Sequence, residues 1–491
     1  MRLKTFFTLA ALALAPLPGL RAADTNDFIT WNAAADSVNA DVHRQPLWPV
    51  LEGIAHQTGW HIFVEPDTAR VIDVKFQNEP IKEALKKILG DLNFAFVPKT
   101  NEASQLYVFT SRMENATKPV QATNSAVAKA KPGHVANQLM VKLKPGANID
   151  ALAKSLGAKV VGRDDANGIY LLEFPDAAAT ETALASLKVN PEVAAVQYNN
   201  YFDSPAAPRL VANTTTPPVS LALDNSKPGD PCNPVIGLID TRIQSLGGQL
   251  DPFVLKPISI AGDSGQPGAV APKAVSSAVN LGHEPTHATS MAETILRAVA
   301  QASGGKSGVK ILPVDVYGAN EMATTWNVAL GVKAAVDGGA TVLNMSLGGA
   351  SDSAILDEII RQAQAKGVVI FAAAGNQPVS TATFPAAISG VNAVTALGAR
   401  GQLASYANYG SFVSLALPGA SVTHFGRQSF VVNGTSPATA YASGIAAGTK
   451  GINCPTWEQI QRIMREKFPV PPDDCAMARK MASAIEVACV G

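Results

Sequence analysis

The sequence lacks an excess of charge of either sign, since its 491 residues carry 39 basic and 39 acidic side chains. This balance gives no overall attraction to nucleic acid or to an anionic membrane, and neither partner is predicted. Beyond the N-terminal segment the sequence also lacks a run of about 18 apolar residues, the length that a membrane-spanning helix requires. We therefore expect no membrane span after that segment.

Cysteine is scarce as well, and the chain has only four: Cys232, Cys454, Cys475 and Cys489. Their spacing is not that of a metal site and none sits in a nucleophile motif, so neither a metal ligand nor a cofactor is predicted. Four cysteines can form two disulfides in three different pairings, which suits an exported protein. Free buried thiols are the alternative.

The N-terminus has the features of a secretory signal. The first 24 residues, MRLKTFFTLAALALAPLPGLRAAD, combine a basic end, an apolar run and small residues at Ala22 and Ala23. This pattern predicts a signal peptide over residues 1–23 and an exported protein, periplasmic or extracellular. A buried N-terminal helix is the alternative.

Residues 40–112 have the pattern of a small mixed α/β module. Apolar residues follow helical spacing twice, with short strand-like runs between them: Leu47, Val50, Leu51, Ile54 and Ala55, then Ile81, Ala84, Leu85, Ile88 and Leu89. The stretch LWPVLEGIAHQTGWHIFVEPDTARVIDVKFQNEPIKEALKKILGDLNFAFV resembles the secretin and TonB short N-terminal domain, which implies a docking partner in the cell envelope. A spacer domain is the alternative. Residues 113–134 lack periodicity and are predicted to be a linker.

Residues 135–202 alternate strand and helix patterns in the order βαββαβ, which predicts a ferredoxin-like fold. The stretch from Gln138 to Asn199 resembles the inhibitory propeptide of subtilases, the subtilisin-like proteases. The resemblance implies that this domain assists folding and then blocks the active site of its own chain. Residues 203–231 are predicted to be a second linker.

Residues 232–491 alternate short apolar runs with helical stretches. The apolar runs are PVIGLID, VKILPVDVY, TVLNMSL, VVIFAAAGN and FVSLAL. This alternation predicts a doubly wound α/β domain, in which a parallel sheet is covered by helices on both faces. Active sites of such sheets lie beyond the carboxyl ends of the strands.

A carboxylate and an imidazole stand at such ends. Asp240 closes the apolar strand PVIGLID, where a buried carboxylate needs a partner such as an imidazole. Capping of the turn at Thr241 is the alternative. His287 begins the helical stretch HATSMAETIL and is preferred over His283, which the helical pattern does not follow.

A serine and an asparagine complete the set of candidates. Ser436 opens NGTSPATAYASGIAAG, a helix of small residues that we expect to be deeply buried, and it is either an N-cap or a nucleophile. Asn376 follows the strand VVIFAAAGN, where its amide either donates to an oxyanion or serves a turn.

Six short sequence motifs relate these candidate residues to a known family. LIDT, HATSMAETI, LNMSLGG, AAAGN, FPAA and NGTSPATA occur over residues 233–450 in the order typical of subtilases, so the chain resembles that family. The resemblance implies that Asp240 orients the imidazole, that His287 is general base and then general acid, and that Ser436 is the nucleophile. It also implies that Asn376 donates to the oxyanion.

The string SLGG implies a site for the substrate backbone. In the family an extended peptide pairs with this segment as an added strand, which assigns substrate binding to Ser346, Leu347 and Gly348. Glycines that serve a turn are the simpler alternative, and the two interpretations are compatible.

Three residues depart from the family pattern. Arg242 stands where a glycine normally follows Asp-Thr, Ala288 replaces the glycine after the histidine, and Ala440 replaces a proline in the serine helix. Arg242 raises two concerns, because a glycine position can require a positive φ and because a cation could compete with His287 for Asp240. Calcium is common in subtilases, but no acidic cluster matches a family site, and it is left unassigned.

The sequence therefore predicts an exported serine endopeptidase that hydrolyses peptide bonds with an Asp-His-Ser triad. Its partners would be a polypeptide substrate, its own propeptide as an intramolecular inhibitor, and an envelope partner at residues 40–112. We expect it to be a zymogen that cuts itself between about residues 200 and 232. The alternative is a catalytically impaired binding protein of the cell envelope with the same fold.

Overall fold

The computed structural model describes residues 28–471 apart from short gaps, which are 33–36, 66–67, 69, 91, 99–102, 111, 114–115, 121–132, 204, 206, 212–220, 222, 225–231, 233, 249, 262–272, 275–283, 321, 378–379, 405, 427 and 453. The predicted signal peptide 1–23, His283, Cys475 and Cys489 lie outside the described residues. The chain forms two compact units, one made of residues 1–66 and 70–127 and one made of residues 67–69 and 128–491. Within the described ranges, no helix is long and apolar enough to cross a bilayer.

The N-terminal unit combines two small sheets with two helices. Its elements are β1 (Phe28–Asn32), β2 (Ser37–Pro46), α1 (Leu47–Thr58), β3 (His61–Val64), β4 (Val71–Glu79), α2 (Ile81–Leu89), β5 (Asn93–Val97), β6 (Gln105–Phe109) and β7 (Lys118–Val120). One sheet has the order β1-β2-β4 and the other β5-β6-β3-β7. Helices α1 and α2 bury the apolar faces that their spacing predicts; only Ile81 of those positions is part-exposed.

This unit is wider than the predicted module 40–112. Strand β1 and the start of β2 precede residue 40, and β7 lies inside the predicted linker 113–134, where it pairs antiparallel with β3. The linker prediction is therefore wrong for Lys118–Val120, because a three-residue strand on a sheet edge has too short a pattern to be seen in the sequence.

The second unit begins with the expected βαββαβ domain. Its elements are β8 (His134–Leu143), α3 (Ile149–Ser155), β9 (Lys159–Asp164), β10 (Ile169–Glu173), α4 (Ala177–Lys188) and β11 (Val193–Asp203). The strands form an antiparallel sheet in the order β11-β8-β10-β9. Asn148 and Asp176 start the two helices by accepting hydrogen bonds from backbone N–H groups of their first turns.

The rest of the second unit is built on an eight-stranded sheet. Its elements are β12 (Arg209–Leu210), β13 (Val235–Asp240), β14 (Ile258–Ser259), β15 (Lys273–Ala274), α5 (His287–Ser303), β16 (Lys310–Asp315), β17 (Met322–Thr324), α6 (Thr325–Asp337), β18 (Val342–Met345), α7 (Ala354–Ala365), β19 (Val369–Ala373), β20 (Asn392–Leu397), β21 (Leu415–Pro418), β22 (Ala420–Phe425), β23 (Gln428–Asn433), α8 (Thr435–Lys450) and α9 (Trp457–Lys467). The large sheet has the order β15-β14-β16-β13-β18-β19-β20-β21, and all its pairs are parallel except β14 with β15.

Helices cover both faces of this sheet, which confirms the doubly wound α/β prediction. Helices α6 and α7 pack in one core cluster, and α5, α8 and α9 pack in a second cluster on the opposite face. Strand β20 has no counterpart among the predicted strands, and β12 lies inside the predicted linker 203–231, where it pairs with β23.

The small residues of α8 let it approach α5 closely. A Cβ atom on Gly444 would stand 2.5 Å from the carbonyl oxygen of Ile295, so any larger residue would push the two helices apart. A disulfide joins Cys232 to Cys454 and ties the segment before β13 to the segment before α9. Of the three pairings that the sequence leaves open, the structure has the one that joins Cys232 to Cys454.

Candidate active site

The carboxyl edge of the large sheet brings Asp240 and His287 together. Asp240 is the last residue of β13 and His287 the first of α5, and both are buried. His287 Nδ1 lies 2.9 Å from each carboxylate oxygen of Asp240. The ring therefore carries its proton on Nδ1, which leaves Nε2 as a proton acceptor. The backbone N–H of Thr241 also donates to Asp240 Oδ1 at 2.7 Å, so the turn-capping alternative holds alongside the imidazole contact.

Ser436 is the second residue of α8, and Pro437 is the third. The sequence places the proline at the first helical position and allows Ser436 as the N-cap, but the N-cap is Gly434, because the helix begins two residues earlier than the proline indicates. Its hydroxyl donates to the carbonyl oxygen of Ser346 at 3.4 Å. Among the described contacts, none is a hydrogen bond between Ser436 Oγ and His287.

Asn376 is held with its amide group beside the start of α8. Its Oδ1 accepts from the backbone N–H of Thr435 at 2.8 Å and from Thr435 Oγ1 at 3.1 Å. These two bonds leave Nδ2 as the group available to donate. Gly434 has φ of 149°, a conformation that favours glycine, and a Cβ there would stand 3.1 Å from Asn376 Nδ2.

The predicted substrate-binding residues follow β18, directly beside Ser436. Ser346 and Leu347 are buried and Gly348 is half-buried. The Ser346 hydroxyl donates to the backbone carbonyl of Ser436 at 3.2 Å, and the Ser436 hydroxyl donates to the backbone carbonyl of Ser346. Each of the two segments thus donates one hydrogen bond to the other. Gly349 then pairs antiparallel with Phe384.

The strand that leaves the propeptide-like domain passes beside Gly349, the residue that follows the predicted substrate-binding residues. Tyr201–Asp203 of β11 pair antiparallel with β17, an edge strand that the sequence pattern does not reveal. On the other side, a Cβ atom on Gly349 would lie 3.3 Å from the carbonyl oxygen of Tyr201. The chain continues into β12, which pairs with β23, and β23 ends three residues before Ser436.

Arg242 does not interfere with the carboxylate–imidazole pair. Its Nε donates to Asp315 Oδ2 at 3.3 Å, and Asp315 ends β16, the strand beside β13. Its backbone has no positive φ, since Asn78 and Cys454 are the non-glycine residues with that conformation among those described. Ala288 and Ala440 are fully buried, as small replacements for glycine and proline can be.

No metal can be assigned to this site. In the described part of the chain, no group of three or more His, Cys, Asp or Glu side chains could hold an ion.

A buried Asp–His pair and a serine at a helix start, on the carboxyl edge of a parallel sheet, are the parts found in serine hydrolases with α/β folds. Over residues 233–475 the chain belongs to the subtilase family, and residues 121–199 match the fervidolysin N-terminal prodomain. Both resemblances stated for these regions are thus confirmed. The secretin and TonB resemblance of the N-terminal unit stays a prediction.

Individual relatives agree with this family. The chain is similar to subtilisin BL of Lederbergia lenta, with 35% identity over 36% of this chain and 66% of the relative. It is also similar to M-protease of Shouchella clausii strain KSM-K16, with 34% identity over 36% and 47%. The chain thus spans about half to two thirds of the length of these curated relatives.

A solved structure supports the fold. The structure of fervidolysin from Fervidobacterium pennivorans, described as a keratinolytic enzyme related to subtilisin, has a TM-score of 0.53 and 20% identity. The match covers 68% of this chain and 57% of fervidolysin. At this identity the likeness concerns the fold alone.

Proposed function

We propose that the protein is an exported serine endopeptidase that hydrolyses peptide bonds with Asp240, His287 and Ser436. The observation that carries this proposal is the buried imidazole of His287, held by both oxygens of Asp240 at the start of α5. Family membership over the same residues supports it. Export is supported by the signal-like pattern of residues 1–23.

In the proposed reaction, Ser436 Oγ forms a bond to the carbonyl carbon of a substrate peptide bond while its proton passes to His287 Nε2. The imidazolium, stabilised by Asp240, then gives this proton to the leaving amine as the carbon–nitrogen bond breaks. Water adds to the resulting acyl-enzyme by the same route, with His287 again as base, and releases the acid and the free serine.

The negative oxygen that forms during attack has two candidate donors. One is Asn376 Nδ2, whose amide is oriented by the two bonds from Thr435. The other is the backbone N–H of Ser436 in the first turn of α8, which lacks a partner within the helix. Donors fixed before the reaction cost no reorganisation as the charge develops.

We further propose that the protein is made as a zymogen that cuts itself between Asp203 and Arg209. β11 passes along β17 and Gly349 in the extended form that a substrate would take, and β12 lies on the strand that leads to Ser436. The scissile bond would lie in the short connection between β11 and β12, which narrows the range expected from the sequence.

Chain order then decides what the cut separates. The N-terminal unit precedes the propeptide-like domain, so both would leave the hydrolase together as one fragment. An envelope partner of the N-terminal unit would therefore hold the inhibitor fragment and not the mature enzyme.

The experiment that tests the hydrolase is cleavage of a peptide library by the purified protein, with the Ser436→Ala variant as the control. We expect products from the wild type and none from the variant. Intact peptides with correctly folded wild type would favour the binding-protein alternative, whose support is the bond of Ser436 Oγ to Ser346 instead of His287.

A further inference from the structure

Helix α8 is joined to β18 by a buried chain of four polar residues. Ser443 Oγ lies 3.0 Å from Asn344 Oδ1 and 3.1 Å from the carbonyl oxygen of Ala440, so its one proton is shared between these two acceptors. Asn344 Nδ2 donates to Ser346 Oγ at 3.0 Å. Ser346 Oγ in turn donates to the carbonyl oxygen of Ser436 at 3.2 Å. We call Asn344, Ser346, Ser436 and Ser443 the Asn344 clasp. All four are buried, and Asn344 and Ser443 have no exposed surface.

The clasp holds α8 at two points on one face. Ser436 and Ser443 are seven residues apart, which is two turns and about 10 Å along the helix axis. Asn344 uses both ends of its amide, since Oδ1 bonds toward Ser443 and Nδ2 toward Ser346. An apolar residue of the same size could replace neither bond.

The packing of α8 makes such bonds necessary for its exact position. Its buried surface consists mainly of alanine, glycine, serine and threonine, and it lies so close to α5 that Gly444 has no room for a Cβ. Small side chains form shallow ridges and grooves, so they resist sliding along the helix axis less than interlocking large ones do. Directional hydrogen bonds can supply the resistance that the packing lacks.

We propose that Asn344 is a positioning residue for Ser436, an inference that rests on the proposed hydrolase function. Through Ser346 and Ser443 it fixes the axial position of α8, and with it the places of Ser436 Oγ and of the Ser436 N–H that faces the oxyanion. Asn344 itself touches no substrate. The effect that defines this role is on the maximal rate of attack by Ser436, which a small serine-directed probe measures without pairing to the backbone at Ser346.

The test measures the reaction of Ser436 with an organophosphonate probe in wild type, Asn344→Leu and Ser443→Ala. We expect Asn344→Leu to lower the maximal labelling rate roughly 10²-fold, the cost of a displacement of about 1 Å at a reacting atom. The probe concentration for half-maximal rate stays the same. Ser443→Ala removes one contact of the clasp and gives a smaller loss in the same parameter.

Ser421→Ala is the matched control. Ser421 is buried and bonded to Thr294 Oγ1 at 2.7 Å, but it belongs to the α5–β22 contact and has no bond to the clasp. We expect it to lower Tm without changing the labelling rate.

Suppose that wild type is labelled and that Asn344→Leu has a lowered Tm but the labelling rate of wild type. This result would overturn the positioning role and leave the proposed hydrolase function intact. Unlabelled wild type would instead refute the hydrolase itself. If Asn344→Leu does not fold, wild-type rates in Ser443→Ala overturn the inference.

Discussion

At the scale of single residues, Arg242 is the departure from the family pattern whose environment the structure explains. Asp240 and Asp315 end adjacent strands in register, and both are buried. Burial raises the pKa of Asp315, while the N–H groups of Gly318 and Tyr317 and the Arg242 guanidinium act to lower it. Arg242 thus compensates a second buried carboxylate next to the one that His287 uses.

Removing this cation should make stability depend on pH. In Arg242→Met the pKa of Asp315 rises further, so the folded state takes up the proton at a higher pH than the unfolded state. The loss of unfolding free energy, up to about 3 kcal/mol, is greatest at neutral pH and shrinks as the pH falls toward about 4. Tm of variant and wild type across pH measures this. In the double variant Arg242→Met/Asp315→Asn, the loss of unfolding free energy should no longer depend on pH. A loss that still varies with pH would show that another group is responsible.

The oxyanion role proposed for Asn376 predicts a loss of turnover when its amide is removed. Asn376→Ala should lower kcat by roughly 10²–10³-fold with little change in KM, a scale known from subtilisin, because the donor acts on the transition state. Gln377→Ala, at the exposed neighbouring position, is the control and should retain wild-type kcat. An equal fall in both variants would indicate that the loop and not the amide matters.

At the scale of elements, the propeptide-like domain completes the starts of two helices in the hydrolase domain. Asn199 Oδ1 accepts from the backbone N–H of Trp326 in the first turn of α6. Gln197 Nε2 donates at 2.7 Å to Ser353, the N-cap residue of α7. Backbone N–H groups at a helix start lack partners within the helix. Asn199 supplies such a partner to α6, and Gln197 holds the N-cap residue of α7, so both contacts join the two domains where helices of the hydrolase domain begin.

These contacts should set how long the cleaved inhibitor stays bound. In the full-length chain, Asn199→Ala removes a bond to a buried N–H, worth about 1–2 kcal/mol, which corresponds to roughly 5–30-fold faster release. The interval between self-cleavage and the onset of peptide hydrolysis measures that release. Asn190→Ala, which changes a loop of the same domain that bonds to Glu192, should leave the interval unchanged. Equal intervals in all three proteins would refute this role.

Periodic elements were predictable from the sequence, whereas elements made by distant partners were not. Helices α1 and α2 and the strand that ends at Asp240 have local patterns that their burial confirms. Strand β17 has three residues and exists as a partner of β11, so nothing local indicates it. The same holds at the site: short strings indicate the candidates, but the Thr435 bonds to Asn376 join residues 59 apart.

At the scale of the whole molecule, the order of the parts means that the proposed self-cleavage would separate the two upstream domains from the hydrolase domain. The N-terminal unit and the propeptide-like domain precede the connection between β11 and β12, and the proposed site residues all follow it. Cys232 and Cys454 also both lie after that connection, so their disulfide would not hold the two fragments together.

Fragment analysis checks this order. The first residue of the hydrolase fragment should lie between 204 and 209, and the other fragment should contain both upstream domains, because both precede the cut in one continuous chain. The Ser436→Ala variant, expressed and purified in the same way as wild type, should remain a single uncut chain. A hydrolase fragment that begins within 113–134, or trimming of Ser436→Ala as in wild type, would contradict self-cleavage at this connection.

The proposed hydrolysis requires Asp240, His287 and Ser436 to act as one unit, and covalent labelling of Ser436 tests this requirement. The measurement is the site and rate of organophosphonate attachment, mapped by mass spectrometry, in wild type, Ser436→Ala and His287→Ala. We expect one label per molecule on Ser436 in wild type and none in Ser436→Ala, with labelling slowed by orders of magnitude in His287→Ala. Folded wild type that takes up no label, or that is labelled as fast without His287, would contradict it.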